Sequence, residues 1–116
     1  MKWNMNLISR DDVKTKLDRK DSFKLVMVLS EWAYRSKHIP GSMHIATPEE
    51  ALARLAKDDD IVVYCSGYDC IASVNAYEYL VRHGYTHVRR YAGGIIDWEE
   101  AGYPLEGEMV REETNA

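Results

Sequence analysis

The chain has no basic excess: 15 lysines and arginines face 19 aspartates and glutamates, for a net charge of -4. A general nucleic-acid binder needs a basic footprint that displaces counterions from phosphate, so this balance argues against that class. No apolar run approaches the roughly 20 residues of a membrane span. The start, Met1-Lys2-Trp3-Asn4, lacks the following apolar segment of a signal peptide. A soluble, cytoplasmic protein without membrane or nucleic-acid partners is the expectation. Three prolines and seven glycines are too few for a disordered or collagen-like chain. There are two cysteines, Cys65 and Cys70. In a reducing compartment they read as thiols or a redox pair rather than a structural staple. No Gly-rich phosphate loop with a lysine occurs, and lysine is absent from Cys65 to His87, so nucleotide hydrolysis has no support. His38, His44, Cys65 and Cys70 match no standard zinc spacing, and neither a metal nor a cofactor is expected.

What is present suits one modest core. The 116 residues are 46% hydrophobic and 29% charged, which fits a single domain over 1–116 without repeat or linker. Its polar end is expected to fray from about 107. The organising stretch is Ile61 to Ser73, I-V-V-Y-C-S-G-Y-D-C-I-A-S. Four apolar residues, three of them β-branched, form a short buried-strand pattern that runs into Cys65. A compact loop, Ser66 to Asp69, follows, and the helical pattern of Ile71 to His83 comes next. The spacing of Ile71, Val74 and Tyr77 marks one apolar strip of that helix, and Ala76, Leu80 and Val81 a second. Gly84 ends it.

Elsewhere, Asn4 to Ile8 alternates as an edge strand. Ser9 caps a helix over Arg10 to Leu17 or Asp18, with Asp11 and Asp12 in its first turn. Phe23 to Leu29 reads as a strand buried on both faces. Ser30 to Lys37 fits a short helical turn, His38 to Ser42 a Pro-Gly turn, and Met43 to Ile45 a minimal strand. Thr47 caps a helix with Pro48 at its first position and Glu50 at capping-box spacing. Asp58 to Asp60 reads as a solvated turn. Tyr85 to Arg89 holds a last strand, with Arg89-Arg90 read first as a solvated pair and, as the alternative, a source of positive field. Ile95 to Ala101 forms a last helix, on which Ile95 and Trp98 read as packing residues. Strands alternating with helices, and an apolar central pair, indicate a small doubly wound α/β domain whose central, mainly parallel sheet is flanked by helices.

Cys65 has two readings from local sequence. One is a buried structural cysteine, common in cores. The other is a thiolate at the carboxyl end of a strand, where open α/β sheets bind ligands, with loop and helix-start N–H groups aimed at it. Asp69 opposes ionisation there unless its side chain turns away. Cys70 is five residues on, too far for C-x-x-C, yet within reach of a disulfide if the two Cα atoms lie inside about 7 Å. It reads either as a small apolar filler or as a resolving or redox cysteine. Ser66 and Ser73 read as hydrogen-bonding groups rather than nucleophiles.

Four pieces, in order along the chain, resemble the rhodanese-like domain family: His38-Ile39-Pro40-Gly41-Ser42; I-V-V-Y-C-S-G ending at Gly67; Ala92-Gly93-Gly94-Ile95 with Trp98; and Glu100-Ala101-Gly102-Tyr103-Pro104-Leu105. The resemblance implies the doubly wound fold and sulfurtransferase chemistry through a cysteine persulfide. Cys65 would be the nucleophile, and the loop Ser66, Gly67, Tyr68, Asp69, Cys70 and Ile71 the persulfide cradle. A small sulfur donor and a thiol or other nucleophilic acceptor, small molecule or protein, would be the partners. Active members of the family place an arginine five residues after the cysteine, and this chain has Cys70 there. They also carry aspartate and, two residues later, arginine at the end of the second strand; here Met27 and Leu29 stand in those places. Weak use of thiosulfate follows. The family's phosphatase branch has a longer loop closed by arginine, which this chain lacks. The alternative is a catalytically silent binding or redox-sensing domain that uses Cys65 and Cys70.

Overall fold

The computed structural model describes residues 5–110. Within them, four strands form one sheet: β1 (Lys24–Met27), β2 (Met43–His44), β3 (Ile61–Tyr64) and β4 (Val88–Arg90). All pairings are parallel, in the spatial order β2-β1-β3-β4. The helices are α1 (Arg10–Asp18), α2 (Glu31–Ser36), α3 (Pro48–Arg54), α4 (Ala72–Arg82) and α5 (Gly94–Glu100). This is the doubly wound α/β arrangement read from the sequence.

Both faces of the sheet are covered, and strand alternation sorts the core accordingly. Leu25 and Met27 of β1 and Val62 and Tyr64 of β3 point toward α1 and α5, where they meet Val13, Ile95 and Trp98. Val26, Ile61 and Val63 point the other way and meet Ala51 of α3, Leu55, and Tyr77 and Leu80 of α4. All four β3 side chains are fully buried. Burial on this scale contributes about 1.5–3 kcal/mol for each large apolar side chain, which fixes β3 at the centre.

Local chemistry sets the helix starts. The side chains of Ser9, Ser30 and Thr47 accept the N–H of Asp12, Ala33 and Glu50, and Pro48 stands at the first position of α3. Glu50 completes its cap one residue early: its carboxylate accepts the N–H of Ala46. No helix of the described residues is long and apolar enough to cross a membrane.

Four details depart from the sequence reading. The first edge strand shrinks to a single parallel bridge between Leu7 and Arg90, with Asn4 outside the described residues. Helix α4 starts at Ala72, so Ile71 is its cap and is 67% exposed, and Val81 also faces solvent. The face that packs is Ser73, Tyr77 and Leu80. The acidic turn is engaged rather than simply solvated: Asp59 binds Lys24, and Asp60 binds Lys16 and Arg89. These contacts tie the β3 entry to α1, β1 and β4. Arg89 and Arg90 are no solvated pair, because β4 alternates and buries Arg90. Past α5, the N–H groups of Glu108 and Met109 bond to the carbonyls of Arg35 and Ser36.

The connections define where a site can form. From β1 the chain winds outward to β2, then returns across to β3 and winds outward to β4 on the other side. The reversal lies between β1 and β3, a crevice that open α/β sheets use for ligands. Met27 and Tyr64 are the last register pair there, and Cys65 is the next residue.

Candidate active site

Cys65 is 1% exposed at the end of β3. The loop after it is shaped from beneath by α5. The N–H of Ile95 bonds to the Cys65 carbonyl at 3.1 Å, and that of Ile96 to the Ser66 carbonyl at 2.9 Å. Those carbonyls point at α5, so the N–H groups on the opposite side of the same peptides turn into the loop. The close approach requires Gly94. Its φ is +62°, and a Cβ there would collide with the Cys65 carbonyl oxygen and come within 2.7 Å of the Ser66 carbonyl carbon. A 3.1 Å bond from the Cys70 N–H to the Gly67 carbonyl closes the loop.

The two thiols are neighbours inside this curl. Both are free, Cys65 buried and Cys70 half-buried. The Cys65 Sγ–H reaches Ser73 Oγ at 3.2 Å and the Cys70 carbonyl at 3.5 Å. Their acidities are pushed apart. Burial raises the Cys65 thiol, and its hydrogen bond with the Cys70 side chain raises it further, against lowering contacts from Ser73. For Cys70, burial raises the thiol too, but hydrogen bonds win. The Cys65 side chain, the N–H groups of Ser66 and Ala72 and the Ser66 hydroxyl bring it down to about 7. Cys65 is thus raised and Cys70 lowered, whereas the sequence reading expected the loop N–H groups to favour a thiolate at Cys65. Cys70 is half-buried beside the buried Cys65, and its N–H closes the loop on the Gly67 carbonyl.

The remaining loop residues form the rim. Tyr68 is 70% exposed, and Asp69 and Ile71 also face solvent. With its side chain in water, Asp69 does not put a buried charge beside Cys65. Met27 is buried in the core under α1 and α5, and Leu29 offers its carbonyl to His44 Nε2 at 2.7 Å. Neither brings charge to the crevice. His38 is stacked on Tyr34 and held by the Tyr34 carbonyl and Glu106.

Two residues outside the sequence-derived site belong to it. Arg90 is 8% exposed, and its Nε donates to Ser73 Oγ at 2.9 Å while a terminal nitrogen reaches the Cys70 carbonyl at 3.4 Å. Ser73 thus bonds to both Cys65 and Arg90. The sequence held a signal for each. Arg90 shares its strand face with the inward Val88, and Ser73 is four and seven residues before the buried Tyr77 and Leu80.

Comparison with known proteins fits this geometry. Residues 9–101 match the family described as Rhodanese-like domain. An HTH-type transcriptional regulator of Mycobacterium tuberculosis is 37% identical over 84 residues, 71% of this chain and 37% of that protein. A sulfurtransferase of Allochromatium vinosum is 40% identical over 55 residues, 47% of this chain and 49% of that protein. The chain thus spans 37% and 49% of the lengths of these two curated relatives. Among solved structures, the rhodanese-like domain of Alr3790 from Anabaena superposes with TM-score 0.78 at 28% identity, over 89% of this chain and 80% of that one. A thiosulfate sulfurtransferase from Pseudomonas aeruginosa shares the fold, with TM-score 0.78 at 21% identity, over 92% of this chain and 21% of that one. On the strength of the match over residues 9–101 and the parallel sheet that ends in the Cys65 loop, the chain belongs to the rhodanese-like domain family.

Proposed function

We propose that the domain handles sulfane sulfur as a persulfide on Cys65. The observation that carries this reading is the placement of Cys65: it is buried at the end of β3, beside the crevice where the sheet reverses, in a loop held by α5 and closed by the Cys70 N–H on the Gly67 carbonyl. The outer sulfur of a Cys65 persulfide is an anion, and the loop N–H groups beside Cys65 would favour it. With thiosulfate as donor, the Cys65 thiolate attacks the outer sulfur, the S–S bond of the donor breaks, and sulfite leaves with the electron pair. A thiolate acceptor then attacks the outer sulfur of the persulfide and returns Cys65 as a thiolate. The name of the Allochromatium relative, a sulfurtransferase, supports this class of chemistry. Met27, Leu29 and Cys70 supply no cation for an anionic donor, so turnover with thiosulfate should be slow.

Cys70 is the resolving group in this scheme. Its thiolate attacks the inner sulfur, Cys65 Sγ, and forms a Cys65–Cys70 disulfide. The outer sulfur leaves as hydrosulfide, reduced by the two electrons that the cysteines lose. A small thiol or dithiol resets the pair. The test is the lifetime of the Cys65 persulfide in the wild-type chain and in C70S, with released sulfide measured in parallel. A longer-lived persulfide and no sulfide burst from C70S are expected; equal lifetimes would contradict the resolving role.

The acidic Cys70 also favours a second reading, a dithiol redox sensor with no transfer activity. The 37% identical relative is a transcriptional regulator, which supports a signalling use of such a domain. Oxidation to a species two hydrogens lighter, requiring both cysteines and no sulfur donor, would select that reading.

A further inference from the structure

Arg90 is a buried cation without a carboxylate: no Asp or Glu of the described residues lies within salt-bridge distance of it. Its contacts are Ser73 Oγ and the Cys70 carbonyl. Burying an unpaired guanidinium is costly. Both groups it does touch belong to the cysteine site. We propose that Arg90 is the positioning cation of this site: through Ser73 it stabilises the anionic form of Cys65, and through the Cys70 carbonyl it pins the loop.

The direction of the hydrogen bonds gives the mechanism. In the thiol state the Cys65 S–H donates to Ser73 Oγ, and Arg90 Nε–H donates to the same oxygen. When Cys65 loses its proton, the first bond must reverse. Ser73 O–H then donates to the sulfur anion while Arg90 continues to donate to Ser73 Oγ. A hydroxyl polarised by a guanidinium is a stronger donor than a free one. Arg90 therefore reaches the sulfur at one remove, from β4, and the same guanidinium bonds to the Cys70 carbonyl at the loop end. The groups facing Cys65 are few. They are Cys70 from the loop and Ser73 from α4, with Arg90 of β4 behind Ser73. From α5, Ile95 meets the Cys65 carbonyl through its N–H, and Asp97 is held by Arg10 and Tyr91.

This role rests on Cys65 acting as an anion, as the proposed function requires, but its test needs no sulfur donor, so the two can fail separately. In a C70S background, where only one thiol reports, the rate of Cys65 alkylation by iodoacetamide is followed by mass against pH. Arg90→Met and Ser73→Ala are each expected to move the midpoint upward by about one pH unit. The double variant should move it no further than either alone, since one relay has been cut twice. Arg90→Lys, which keeps the charge but not the planar fork, should fall between. Ser73→Ala and Arg90→Lys carry the test if Arg90→Met does not fold. Unmoved midpoints in the folded variants, or shifts that add in the double variant, would overturn the relay.

Discussion

Cys70 should be the first thiol to react, and the size of its advantage can be worked out. Its hydrogen bonds bring it from an ordinary value of 9.0 down to about 7. At pH 7 about half of it is thiolate, against about 1% for an ordinary cysteine, a gain of about fifty-fold. Each thiolate is also a weaker nucleophile. With a Brønsted coefficient of about 0.45, two units of acidity remove about eight-fold. The net expectation at pH 7 is alkylation about six-fold faster than an unperturbed thiol, with a rate midpoint near pH 7. Cys65, buried and raised, should lag. Changing Cys65 to alanine removes the strongest of the contacts that lower Cys70, so the midpoint should climb toward 9. The assay is iodoacetamide labelling between pH 5 and 10, read by peptide mass. First labelling at Cys65, or a Cys70 midpoint close to 9 in the wild-type chain, would refute the lowering of Cys70 beside Cys65.

Other perturbations test other parts of the account. Cys70→Arg places a cation at the end of the loop and should raise the thiosulfate–cyanide rate about tenfold, one charge-assisted contact in the transition state; an unchanged or lower rate in a folded variant would show that a loop cation is not what limits turnover. Gly94→Ala forces a Cβ into the Cys65–Ser66 backbone. It should lower the urea midpoint and disturb the Cys70 reactivity profile together, and a variant with native stability would contradict the close approach of α5. The carboxyls of Asp59 and Asp60 are both held below their ordinary value, Asp59 first by the Ala56 N–H and then by Lys24, Asp60 by Lys16 and Arg89 against the cost of burial. A depressed carboxyl stabilises the fold above its unfolded value near 3.8 and stops doing so as pH falls through the folded value. Asp60→Asn should therefore be less stable than wild type at pH 7, with the gap closing as pH falls below the ordinary 3.8 and through the lower folded value; a gap independent of pH would assign it to packing.

Much of this was legible in the residues because each signal was local. The β-branched run Ile61 to Val63, the caps at Ser9 and Thr47 and the Pro48 start required no tertiary knowledge, and the parallel sheet followed from their alternation. The position of Cys65 at the end of β3 was equally readable. The direction of the loop peptides was not. They are set by the α5 N–H groups that bond to the Cys65 and Ser66 carbonyls from below, and that contact joins residues about 30 apart in the chain. Arg90 departs from the first of its two sequence readings for a different reason. A charged pair on a short strand is usually solvated, and the alternation that carries Arg90 inward behind Val88 outweighed that preference because Ser73 and the Cys70 carbonyl receive it. Ile71 was placed on the helix by its apolar character, yet the loop delivers it to the rim, one residue before α4 begins.

The most direct measurement of the central claim is the intact mass of the fully reduced chain after brief exposure to a sulfane-sulfur donor, with C65S and C70S treated alongside. The account predicts a species one sulfur atom heavier that is absent from C65S and accumulates in C70S. No adduct on any chain, or an adduct that survives in C65S, would contradict sulfur handling at Cys65.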